Sequence, residues 1–175
     1  MLAMKPKSKH LRRLAYAGLG LLLSASLLYL LFLRPTPIKA GGFTSLTGEN
    51  TIIFEVINEG FTKVELLDVR VNDGQKPAKA ELGVSYSLHL VGGDDLDEDT
   101  HIEFVGIQEM PLQPELTADE KLAALDQRAR IPLNYGVRLF NDTPITQIEV
   151  TYKYWGITFK RAVPMGRFFN NGSST

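Results

Sequence analysis

One stretch limits what this chain can become more than any other. Twenty consecutive positions, Leu14 to Leu33 (LAYAGLGLLLSASLLYLLFL), carry no charge. At ~1.5 Å per residue a helix of that length reaches about 30 Å, the hydrocarbon thickness of a bilayer. A helix lying on a soluble core keeps a polar stripe toward water, and this run has none. Tyr16 and Tyr29 stand near its two ends, where amphipathic rings favour the headgroup layer. A cleaved leader has a shorter apolar region followed by a small-x-small site. Here Ser24-Ala25-Ser26 falls in mid-run and Ile38-Lys39-Ala40 is a poor match. Residues 14–33 are therefore expected to form an uncleaved transmembrane helix, with the lipid bilayer as their partner.

Charge then orients the chain. Lys5, Lys7, Lys9, Arg12 and Arg13 precede the run, whereas Arg34 and Lys39 alone follow closely. The positive-inside bias keeps residues 1–13 in the cytoplasm and sends the rest outside the cell membrane. The first 39 residues hold seven of the 19 basic side chains and no acid, which leaves 12 basic against all 20 acidic ones in the exported part, a net −8. An object that acidic is no nucleic-acid module, because a positive face is needed to meet phosphate. Cysteine is absent, which excludes a disulfide framework, a thiol nucleophile and a Cys-ligated metal. With 44% hydrophobic residues, the remaining length can bury a core of its own.

Residues 34–47 read as a linker, stiffened by Pro35 and Pro37 and loosened by Gly41 and Gly42. Residues 48–166 read as a β domain and 167–175 as a flexible polar tail. Period-two alternation marks Ile52–Val56, and Asn58-Glu59-Gly60 supplies a turn. Val64 and Leu66 differ in parity from Leu67, Val69 and Val71, so an extra residue there predicts a β-bulge. Further strands are predicted over Val84–Leu90, Ile102–Ile107, Ile131–Leu139, Ile148–Tyr154 and Ile157–Val163. Seven short antiparallel strands suit an immunoglobulin-like β-sandwich, and Trp155, the one tryptophan, is expected to pack in or beside its core. One short helix is inserted, predicted from Ala118 to Arg128. Its start is a capping box in which Thr117 and Glu120 each satisfy the other's backbone N–H.

Residues able to do chemistry are few. The histidines are His10, His89 and His101, and no zinc, nucleophile-elbow, phosphate-loop or dinucleotide motif occurs. Ser85 and Ser87 lie near His89 but read as the polar face of one strand. The acidic loop 94–99 places Asp95, Asp97 and Asp99 at the first, third and fifth positions of a calcium loop. The sixth position is Thr100 rather than Gly, and the twelfth is Gly106 rather than a bidentate Glu.

Phe54-Glu-Val-Ile-Asn-Glu-Gly60, Val64-Glu-Leu-Leu-Asp-Val69, Tyr135-Gly-Val137 and Ile148-Glu-Val-Thr-Tyr-Lys-Tyr-Trp-Gly156 together resemble a group of Gram-positive envelope proteins. That resemblance implies one N-terminal anchor and one immunoglobulin-like exported domain, and implies no catalytic residue. The expected function is a membrane-anchored extracytoplasmic binding or structural module whose partner is another envelope protein or a cell-wall component. Two alternatives stand beside it: a Ca²⁺-responsive module using Asp95, Asp97 and Asp99, and a hydrolase built on a pair of carboxylates.

Overall fold

The computed structural model describes residues 8–32, 36–45, 50–92 and 99–165. The chain forms two compact units, Met1–Thr36 and Pro37–Thr175. The first contains α1 (Ser8–Phe32), rich in leucine and alanine, which lose little on entering a helix. Leu14, Tyr16, Leu19, Leu21, Leu22, Leu23, Leu27, Leu28 and Tyr29 are exposed around the helix. Among the described residues no helix is long and apolar enough to cross a membrane. Leu33, the far end of the expected span, lies outside the described residues, as do residues 1–7 and the tail 167–175.

The second unit is mainly β. Its elements are β1 (Ile38–Ser45), β2 (Thr51–Asn58), β3 (Glu65–Val71), β4 (Lys79–Ser85), β5 (Ile102–Gly106), α2 (Ala118–Asp126), β6 (Asn134–Phe140), β7 (Ile148–Tyr154) and β8 (Ile157–Val163). One sheet runs β1-β2-β6-β4-β5 and the other β3-β7-β8, with antiparallel pairing throughout. Phe54, Leu66, Leu82, Val137, Leu139, Ile148 and Tyr152 belong to the main core cluster and are almost wholly buried. Between Leu66 and Asp68 the register of β3 on β7 shifts, so the parity change in the sequence is a bulge at Leu67.

The described residues hold eight strands, one more than the alternation predicts. The extra strand is β1, and it occupies most of the segment expected to be linker. Pro37 ends just before the strand begins, where a missing N–H removes no ladder bond. Gly41 and Gly42 form a bulge, since the register on β2 shifts between Ala40 and Phe43. A Cβ on Gly41 would collide with the Glu55 carboxylate, so glycine here admits the neighbouring side chain. Arg161 of β8 donates a hydrogen bond to the Ile38 carbonyl.

Two further expectations are corrected. The strand predicted over Val84–Leu90 lies earlier, as β4, and stops at Ser85. Ser85 Oγ accepts from the Ser87 amide at 3.3 Å and Ser87 Oγ from the His89 amide at 3.1 Å. These local bonds turn the backbone out of the ladder, and Leu88 and Leu90 end up exposed. Trp155 is not in the core. With Gly156 it makes the two-residue turn between β7 and β8, φ being +53° and +77°, and its side chain is 61% exposed.

Candidate functional site

After β4 the chain folds back across the outer face of the five-stranded sheet. Gly83 and Gly136 are register partners on β4 and β6, and together they leave a slot. Val91 fills it: a Cβ on Gly83 would meet its Cγ1 at 2.5 Å, and one on Gly136 would meet its Cβ at 2.7 Å. Ile53 and Val91 form a second buried cluster, with Ile102 and Phe104 packed against it. This small apolar cluster seats the loop that carries His89, Asp99 and His101.

His89 Nδ1 and Asp99 Oδ2 are 2.9 Å apart, and Asp99 Oδ1 accepts from the His101 amide at 2.8 Å. The His89 bond, and after it the His101 amide, holds the Asp99 carboxyl below the usual aspartate range. The pair ties residue 89 to residue 99, ten positions apart in the chain, and acts as a clasp between them. Asp95 and Asp97 lie outside the described residues. Among the described residues no group of three or more His, Cys, Asp or Glu side chains could hold a metal ion. Ser85 and Ser87 spend their hydroxyls on the turn, Ser85 Oγ also standing 3.2 Å from the Ser87 carbonyl. His89 therefore has an orienting acid beside it, which the linear sequence did not reveal, while its serine neighbours bind backbone.

The connection between β5 and β6 packs against the segment that joins β2 to β3. Val64 and Leu112 exchange backbone bonds at 2.9 and 2.8 Å. Buried Asn58 is the hub of this contact: its amide donates to the Thr62 and Leu112 carbonyls, and its Oδ1 accepts from the Gly60 amide. Thr117 caps α2, with Thr117 Oγ1 accepting from the Glu120 amide at 3.3 Å and Glu120 Oε2 accepting from the Thr117 amide at 2.8 Å. Lys121 Nζ donates to Asn134 Oδ1 at 2.9 Å, tying the helix to β6. A cavity of about 20 Å³ lies beneath this connection, lined by Glu55, Glu115, Lys121, Asn134 and Tyr135 among others. It brings two carboxylates to one hollow, but that volume holds a water molecule and no substrate. The Tyr135 hydroxyl oxygen accepts from the Gln113 amide at 3.1 Å, and burial pushes its phenol up.

A third arrangement escaped the sequence reading. Arg138 of β6 lies 3.5 Å from the Phe104 ring centroid and 5.2 Å from that of Phe140. Its Nε and Nη2 reach the same oxygen of Glu81, its register partner on β4, at 3.2 and 2.9 Å. Lys79 Nζ meets the other Glu81 oxygen at 2.7 Å. Stacked cation and carboxylate cover the outer face beside the Val91 cluster, a structural use of charge. Alternation alone places Arg138 on the outer face, but pairing across strands is needed to see that it is buried.

No family model, no curated protein and no solved structure matches this chain.

Proposed function

We propose that this chain is a single-pass membrane protein whose immunoglobulin-like β-sandwich is held outside the cell as a binding or structural module of the envelope. The observation that carries the reading is the continuity of two features. The uncharged run 14–33 ends only five positions before Ile38, the first residue of β1. A folded acidic body is thus covalently tied to a segment whose length and apolarity suit a bilayer. The large apolar side chains exposed along α1 are leucines, which favour lipid, and two tyrosines, which favour the headgroup layer.

The strand order supports the immunoglobulin-like assignment. With β1, β2, β6 and β4 taken as A, B, E and D, and β3, β7 and β8 as C, F and G, the sheets read ABED and CFG. β5 is then an addition on the outer edge of D. The five cations ahead of the run support an N-terminus in the cytoplasm. Partners would meet the body at its strand edges and end loops, where sandwiches carry recognition.

Protease treatment of intact cells tests orientation. Trypsin is expected to digest epitopes placed beyond residue 40 without lysis, and protection until lysis would reverse the topology. Photocrosslinking groups placed on the end loops are then expected to trap a discrete envelope protein or wall fragment. Absence of any adduct, with the body proved accessible, would count against a binding role.

A further inference from the structure

Three exposed apolar side chains gather at one end of the body. Phe61 is 75% exposed in the β2–β3 turn, Trp155 is 61% exposed in the β7–β8 turn, and Ile157 follows it. The two turns touch: the Phe61 amide donates to Tyr154 Oη at 3.2 Å, and the Tyr154 ring meets Trp155 edge-on at 6.2 Å between centroids. Pro37, where the chain enters the body, belongs to the same end. Its carbonyl accepts from the Glu59 amide at 2.7 Å, and a Cβ on Gly60 would stand 2.9 Å from its own Cβ.

Trp155 is also an unusual choice. Both central residues of this turn need positive φ, a requirement that Asn, Asp and Gly meet at low cost and a bulky ring does not. The fold nonetheless accepts strain at +53° and presents an indole to the surroundings. Strain held at an exposed position points toward use.

We propose that this end, with Phe61 and Trp155 foremost, rests in the headgroup layer of the bilayer that holds the anchor. The inference depends on the anchored reading above. From Leu33 to Ile38 the chain can extend at most about 17 Å, at ~3.3 Å per residue, so the end bearing Pro37 is the one kept near the lipid surface. Tryptophan sits well at that depth because its ring is apolar and its N–H can still meet water or headgroup. Charge at this end is nearly balanced. Lys39 pairs with Glu59 at 2.9 Å and Lys63 with Glu65 at 3.2 Å, so ring insertion rather than attraction to anionic lipid drives the contact.

Trp155 is the sole tryptophan and therefore a native probe. The full chain is reconstituted into phosphatidylcholine vesicles and first tested by flotation. Vesicles carrying lipids brominated high or deep in the acyl chain are then compared. The expected result is flotation, blue-shifted Trp155 emission, and stronger quenching by the shallow bromines than by the deep ones. A chain that floats but whose Trp155 is untouched by either lipid and open to aqueous iodide would overturn the docking while sparing the anchor. Emission that is blue-shifted yet insensitive to both bromolipids would mean that protein covers the site, a second copy or another partner, and would equally overturn it. Failure to float would remove the anchor and the docking with it. Phe61→Ser alters an exposed ring and should leave flotation intact while weakening the quenching, and unchanged quenching would refute the shared surface.

Discussion

Arg138 illustrates how far a side chain's meaning depends on its partners. A charge in the middle of NYGVRLF reads as solvent-facing, yet 8% of the side chain is exposed, with Phe104 and Phe140 beside it and Glu81 in front. A buried pair adds modest net stability, but removal of one member leaves the other uncompensated. Glu81→Ala is therefore expected to lower unfolding stability by about 3 kcal/mol in urea denaturation, whereas replacing both Glu81 and Arg138 by Met should recover most of that loss. Equal losses in the single and double variants would refute the account. Asp99 makes a different prediction, because its folded carboxyl lies below the ordinary range through His89. A carboxyl depressed on folding stabilises above its unfolded value near ~3.9 and loses that contribution as pH falls through its lower folded value. The clasp should thus stay closed through mildly acid pH and open only below it. Carboxyl titration followed by NMR should place Asp99 below free aspartate, and a midpoint at or above it would contradict the clasp.

Strands and loops show the same dependence one level up. The alternation of Ile148–Tyr154 and Ile157–Val163 leads directly to β7 and β8, because a period of two with a turn at Trp155-Gly156 leaves little choice. For β1 the local signals misled, since prolines and paired glycines normally argue against a strand. Pairing with β2 overrides them through a bulge. In Val84–Leu90 the error ran the other way, and Ser85 and Ser87 withdraw the backbone from a ladder that hydrophobic alternation would have extended. The Gly83–Gly136 slot has a testable counterpart. Gly83→Ala forces the Val91 Cγ1 to move and is expected to cost about 1–3 kcal/mol, with Val91→Ala, which removes that methyl, returning part of it in the same chain. Strict additivity of the two substitutions would show that they do not share the slot. The capping box of α2 was legible because its bonds lie within four consecutive residues. The Thr117 amide, and then its hydroxyl, holds the Glu120 carboxyl below its usual range. Thr117→Ala should fray the first turn at a cost of about 1 kcal/mol, seen as faster amide exchange there.

Taken as one molecule, the body is a set of distant pairings. Phe54 meets Val137 on the neighbouring strand and Leu66 meets Tyr152, each closing a loop of more than eighty residues. Loops of that size must be closed before their contacts stabilise anything, so refolding of the body is expected on a millisecond-to-second timescale by stopped-flow fluorescence of Trp155. A microsecond phase accounting for the whole signal would contradict this topology. Charge asymmetry, the uncharged run 14–33, six of the seven predicted strands and the α2 cap were determined by the sequence alone, because each is written in neighbouring residues and obeys a short period. The tertiary structure decided which strands share a sheet, that the first of them begins at Ile38, that Arg138 is buried and that His89 meets Asp99. It also set Phe61 beside Trp155. Each of these joins positions that the chain separates by tens of residues, and only long-range pairing, in which packing outweighs local propensity, brings them within reach.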